Sequence, residues 1–318
     1  MRKRLLALAA ALPLALGAPA AGLASASTVA PAATATSASN PCGTVSTAPA
    51  HYKHVIWVWM ENHSYSTIIG SSQAPYINSL ASQCGLATNY HNISHPSLPN
   101  YIAGTSGLPY SGLTQFASDC NPMGSCVTSA PSIFGQGETW KSYEETMPSN
   151  CYGQNFGEYA VRHNPAPYYT TLQGCSTDDV PYTQLSTDLS DNTLPAFSFI
   201  TPNVIDDMHD GTVPDGDNWL ASNMPAIFNS PEYQNGSTAV FITWDEGEGG
   251  TSNTCARNTT DVGCHVATLV ISPSTVPGTV SGTLFNHYSL LGTAEQLLRL
   301  PKLGQAADIR TMIHAFHL

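Results

Sequence analysis

Six short stretches of this sequence gather side chains that can do chemistry. Glu61-Asn62 pairs a carboxylate with an amide carbonyl, an all-oxygen donor set that suits a hard divalent cation. Asn is also a good helix cap, so a helix starting after a strand explains the pair as well. His95-Pro96-Ser97-Leu98-Pro99-Asn100-Tyr101 places a hydroxyl at a helix start, with Pro99 in the first turn, where its missing N–H does no harm. Such a serine is often only a cap. The same helix end also presents free N–H groups and a partial positive charge to a phosphate. Asn100, one turn on, could aim its amide at that anion as an oxyanion donor. Asp206-Asp207-Met208-His209-Asp210-Gly211 crowds four ionisable groups into five residues, which reads as solvated surface or as metal support. Asp245-Glu246-Gly247-Glu248-Gly249-Gly250 follows two carboxylates with glycines that permit tight turns beside a ligand. His265, beside Cys264, and His287, after Asn286, are lone histidines that gain a role only from company.

These stretches need elements to position them. His54–Met60 is a continuous apolar run, as in a strand buried on both faces of a parallel sheet. Residues 139–144, 196–200, 238–244 and 266–271 read as further strands. Helical spacing marks 74–82, 97–104, 217–228 and 288–298. Strands alternating with helices predict an α/β fold, a three-layer sandwich about a mainly parallel sheet. Three of the strands end in Glu61-Asn62, Asn203 to Asp207 and Asp245-Glu246, at the carboxyl edge where such folds gather function.

Composition narrows the classes. Arg2-Lys3-Arg4, a short Leu/Ala stretch broken by Pro13, and Ala24-Ser25-Ala26 read as a cleavable secretory signal over residues 1–26. Residues 27–40, rich in Ala, Thr and Ser, read as a disordered tether, and 41–318 as one large domain. No other stretch is long and apolar enough to insert stably in a membrane. A secreted protein is therefore expected. The formal charge of -12 becomes more negative once the three N-terminal cations leave, which argues against nucleic acid as a partner. The chain has only ten Lys and Arg, so an enzyme handling phosphate here would draw its positive charge from metal ions. Eight cysteines in an exported chain imply disulfides. Proximity suggests Cys120–Cys126, Cys151–Cys175 and Cys255–Cys264, leaving Cys42–Cys84. With no C-x-x-C pair, a zinc site has little support.

Five of the motifs, in order, resemble a known family: Glu61-Asn62-His63-Ser64-Tyr65, His95 to Tyr101, Pro202-Asn203 through Asp207-Met208-His209-Asp210, Thr243-Trp244-Asp245-Glu246, and Asn286 to Ser289. Over most of 52–298 the chain is similar to the bacterial phosphoesterase family of secreted acid phosphatases and phospholipases C, within the alkaline phosphatase-like superfamily. The resemblance implies that Glu61, Asn62 and Asp245 bind a metal, with Glu246 beside it and Asp207 at a second metal or the phosphate. It implies Ser97 as nucleophile and Asn100 as oxyanion donor, with His209 and His265 as further catalytic groups and His95, Asp210 and His287 as substrate contacts. Where the superfamily carries Asp-His, this chain has Asp245-Glu246, so one or two divalent ions are expected. The implied reaction is hydrolysis of a small phosphate monoester through phosphoserine. Rival classes are a phospholipase C, a Ser-His-Asp esterase, which would usually show G-x-S-x-G, and a non-catalytic binding protein on the same fold.

Overall fold

Strand β1 (His54–Met60) is the buried centre of the sheet, with every residue from Val55 to Met60 removed from solvent. The remaining strands are β2 (Gly85–His91), β3 (Trp140–Glu144), β4 (Asp179–Pro181), β5 (Phe197–Thr201), β6 (Thr238–Trp244), β7 (His265–Ile271), β8 (Thr279–Ser281) and β9 (Phe285–Asn286). They run in the order β4-β3-β5-β1-β6-β7-β2-β8, with β9 also on β2. This is a computed structural model, and it describes residues 40–250 and 252–318. The expected signal (1–26), and the expected tether (27–40) apart from Asn40, lie outside the described residues.

The sheet is mainly parallel, as expected; β7 alone opposes its neighbours β6 and β2. The connection from β6 to β7 explains the exception. Among its described residues it carries a 3-10 turn, Val262–Cys264, and no α-helix of the kind that usually crosses a sheet face between parallel neighbours. Strand β2 was not legible in the sequence. Gly85-Leu-Ala-Thr-Asn-Tyr-His is poor in β-branched residues, and its extended form is set by pairing with β7, β8 and β9.

Helices α1 (Pro75–Gln83), α2 (Ser97–Ser106), α3 (Gln184–Asp191), α4 (Val213–Phe228) and α5 (His287–Leu297) build the outer layers. Trp59 of β1 packs its ring on Tyr101 of α2 at 4.9 Å and on His287 of α5 at 4.6 Å, which defines one face. The pair α1 and α4 covers the other face, joined by Asp217, whose carboxylate accepts from the Tyr76 and Ile77 amides at the start of α1. Helix α4 begins at Val213, earlier than its apolar spacing suggests, because Thr212 and Asp215 form a capping box. Gly104 lets α2 approach the sheet: a Cβ there would lie 2.6 Å from the Trp59 ring. All eight cysteines pair as proximity suggested, Cys42–Cys84, Cys120–Cys126, Cys151–Cys175 and Cys255–Cys264.

At the β3–β4 edge two carboxyls are buried together. Glu144 accepts from Ser142 Oγ at 2.7 Å, and both oxygens of Asp179 accept from Asn164 Nδ2 at 2.9 Å. Lys141 lies on the other side of β3, bound to Asp188 at 2.6 Å. Burial, and then the charge of Asp179, push Glu144 well above the usual carboxyl range; burial pushes Asp179 up to about 8. A carboxyl raised by folding stabilises the fold while protonated. That contribution is complete below its unfolded pKa, near 4, and disappears as pH rises through the folded value. The thermal midpoint is therefore expected to fall between pH 5 and pH 9, and to fall less in Glu144→Gln, as read by circular dichroism melts. Parallel pH profiles for the two proteins would contradict this.

Candidate active site

The register of the central strands sets the site. Met60 stands opposite Trp244, so Glu61 and Asp245 leave the sheet side by side, and the Asp245 amide continues the ladder to Met60 O at 2.9 Å. Asn62 then takes a left-handed backbone (φ 51), a conformation Asn tolerates better than most residues. Its amide donates to Asp245 Oδ1 at 3.2 Å. The loop after β5 closes on the same point, where Glu61 N donates to Asp207 O at 2.8 Å. Gly250 and Gly263 let the loop after β6 double back, since a Cβ on Gly263 would lie 2.4 Å from the Gly250 backbone.

Ser97 is the first residue of α2 and is buried. Its hydroxyl donates to Glu61 Oε2 at 2.9 Å. Tyr101, one turn on, donates to Glu61 Oε1 at 2.5 Å. His163 stacks on Tyr101 and donates from Nδ1 to Asp207 Oδ2 at 2.9 Å. Burial pushes its pKa well below the ordinary value, so the ring is neutral, and Nε2, 3.3 Å from Glu61 Oε1, has no hydrogen-bond partner among the described residues. Arg162 Nη2 donates to His209 Nε2 at 3.1 Å, which leaves His209 Nδ1 as donor to Asp210 Oδ1 at 2.7 Å.

Glu61, Asp207, Asp245 and Glu246 are all buried. Burial, and then the nearby Asp245 and Asp207, push Glu61 well above the usual carboxyl range. Burial and the Glu246 charge raise Asp245 to about 7. Such a cluster is costly without a positive charge at its centre. Asn62 Oδ1 and Asp245 Oδ2 are buried acceptors with no hydrogen-bond donor. Two unpartnered oxygens, with Glu61 and the Ser97 hydroxyl beside them, fit a hard divalent cation. Glu61, His163 and His209 form a second group with ligand atoms within 4.8 Å of one another.

Several residues singled out in the sequence stand elsewhere or do something else. Asn100 is fully buried, and its amide donates to Ser94 O at 2.9 Å and Pro96 O at 3.3 Å while its carbonyl accepts from the Ile93 and Ser94 amides. It shapes the loop before Ser97, with both amide hydrogens engaged, and is not free to act as an oxyanion donor. His287 uses Nε2 on Asp245 O at 2.7 Å and Nδ1 on Tyr90 OH at 3.0 Å, so it props the Asp245 backbone and is not a substrate contact. His265 bonds Thr88 O and stacks on Tyr65 and His91, apart from the Ser97 group. Asp207 spends its carboxylate on His163 and the His209 amide, as a partner to His163. Asp210 is exposed and orients His209. Glu246 pairs with His95 Nδ1 at 2.7 Å and so faces His95 as well as the cluster. That bond and the neighbouring acids outweigh burial and raise His95 above its ordinary value. Sequence reasoning missed Arg162 and His163. In a chain so poor in cations, Arg162-His163 on a loop was the available signal.

A model of the Phosphoesterase family matches residues 70–301. The chain is 32% identical over 268 residues to phosphatidylinositol-3-phosphatase of Mycobacterium tuberculosis, covering 84% of this chain and 83% of that one. It is 27% identical to an acid phosphatase of Aspergillus fumigatus, over 78% of this chain but 55% of that one, so it spans about half of the fungal protein. A Vibrio parahaemolyticus protein of the alkaline phosphatase superfamily shares the fold, with a TM-score of 0.52 at 14% identity over 86% of this chain and 73% of that one.

The cation fit is testable without turnover. Adding Mn²⁺ to chelator-stripped protein is expected to raise the thermal midpoint by several degrees, since a ligand at a hundredfold its Kd stabilises by about 2.7 kcal/mol. Asp245→Asn and Asn62→Ala should each remove most of that shift. An unmoved midpoint across divalent ions would contradict the site.

Proposed function

The chain belongs to the phosphoesterase family, whose members hydrolyse phosphate esters, and from that premise we propose that it is a secreted, metal-dependent phosphomonoesterase with Ser97 as nucleophile. The observation that carries the reading is Ser97 Oγ held 2.9 Å from Glu61, beside unpartnered oxygens of Asn62 and Asp245. The named relatives support a monoester substrate, as both are phosphatases. The four cysteine pairs support export.

Glu61, Asn62 and Asp245 would hold the ion, with Ser97 Oγ beside it. A divalent cation there supplies Lewis acidity, favouring the serine alkoxide and neutralising the phosphoryl oxygens. The chain's own groups do the rest. The Ser97 hydroxyl already points its proton at Glu61 Oε2. Its Oγ attacks phosphorus, the ester P–O bond breaks, and the phosphoryl group rests on Ser97. The leaving oxygen needs a proton. His209 Nε2 accepts from Arg162, and His265 lies apart, so both are poor sources. The Glu246–His95 pair is the better one: burial raises Glu246 against the lowering effect of His95, keeping a proton in that pair. Water then cleaves the phosphoserine and returns the proton. Arg162, bonded to His209, supplies positive charge at the site, and His163 holds the Asp207 carboxylate through Nδ1.

Turnover of p-nitrophenyl phosphate is expected to exceed that of p-nitrophenylphosphorylcholine, to vanish with EDTA and to return with metal. Ser97→Ala should lose nearly all turnover while still binding phosphate. Preference for the choline diester would move the assignment to a phospholipase C. Normal turnover by folded Ser97→Ala would overturn the nucleophile, and turnover indifferent to chelation would overturn the metal.

A further inference from the structure

The start of α2 lacks a cap of its own. Pro96 stands at the cap position, and no side chain there bonds the first turn. The amide beside the nucleophile, Leu98 N, is instead held by Asp119 Oδ1 at 3.0 Å, from a loop that returns to the site 21 residues later. Asp119 is built into that position. Its backbone is left-handed (φ 50), its amide is held by Phe116 O at 3.1 Å, and Cys120 next to it is tied to Cys126. Cys120 O is further held by Tyr168 OH at 2.8 Å. Asp119 Oδ2 makes no hydrogen bond among the described residues, and the carboxyl lies within charge range of Arg162, His209 and Glu246.

A carboxylate is a surprising neighbour for a site that receives an anion. Asp217 shows the purely structural version elsewhere in the chain: it caps α1 with both oxygens, on the Tyr76 and Ile77 amides. Asp119 gives one oxygen to the helix that carries Ser97, while the other makes no hydrogen bond among the described residues. We propose that Asp119 is a positioning residue, fixing Ser97 through the Leu98 amide. The bond to Leu98 sets the line of attack, which is read in kcat. This inference rests on Ser97 being the nucleophile.

The test compares Asp119→Ala and Asp119→Asn with the wild type and Ser97→Ala, on p-nitrophenyl phosphate with metal restored. Asp119→Ala loses both oxygens and is expected to lower kcat about 100-fold, the scale of a small misplacement of reacting atoms. Asp119→Asn keeps an acceptor for the Leu98 amide, so most of kcat should return. KM and thermal midpoints should stay close to those of the wild type in both variants. Equal loss of kcat in Ala and Asn variants, an unchanged kcat in Asp119→Ala, or a loss that follows a fall in thermal midpoint would overturn the proposal and leave a simple cap. Wild-type turnover retained by Ser97→Ala in the same assay would instead remove the reading beneath it.

Discussion

Four buried carboxyls meet where three strands of one sheet end, and the rest of the site is arranged around that crowding. Glu61 and Asp245 leave the sheet together because β1 and β6 share a register to their last residues. Asp207 arrives from the loop after β5, and Glu246 follows Asp245. Like charges packed out of water raise one another's pKa and strain the fold. The chain answers with donors: Ser97 and Tyr101 on Glu61, His163 on Asp207, His95 on Glu246. Two oxygens, Asn62 Oδ1 and Asp245 Oδ2, are left without a donor, and the proposed cation is placed at them.

The outer partners explain why so much of this region is polar yet buried. His287 holds the Asp245 carbonyl and is itself held by Tyr90, a line of bonds running from β2 to the end of β6. Its pKa is pushed down to about 4 by burial, so it serves as a neutral ring with Nε2–H fixed toward Asp245. Thr201 donates to His163 O at 3.1 Å, and the next residue, Asn164, is tied to Asp179 at the sheet edge. The positions of His163 and Asp245 are thus set by the sheet itself, which suits chemistry that depends on reacting groups being held in place.

Much of this was legible before the structure. The apolar runs of β1 and β6, the polar residues directly after them, and the helix starting at Ser97 are local signals, and each element lies where its pattern placed it. The meeting of Glu61, Asn62 and Asp245 at one sheet edge was legible because they follow strands that a parallel sheet brings into line. The roles of Asn100, His265 and His287 were not, because a side chain's hydrogen-bond partners come from distant segments. Asn100 is consumed by its own loop, and His287 by β2 and the end of β6. Arg162, His163 and Asp119 sit on irregular segments between strands, where periodicity carries no information and only the folded chain brings them to Ser97.

The central claim is that Ser97 takes the phosphoryl group in a cleft of carboxylates and a divalent ion. The most direct measurement is to mix metal-loaded protein with ³²P-labelled phosphate ester at acid pH, quench in acid within one turnover, and map the label by peptide mass. Phosphate on the peptide carrying Ser97, absent when Asp245→Asn protein is mixed in the same way, is the expected result. A catalytically active wild-type protein that never carries label at Ser97, at any quench time and pH, would contradict the account.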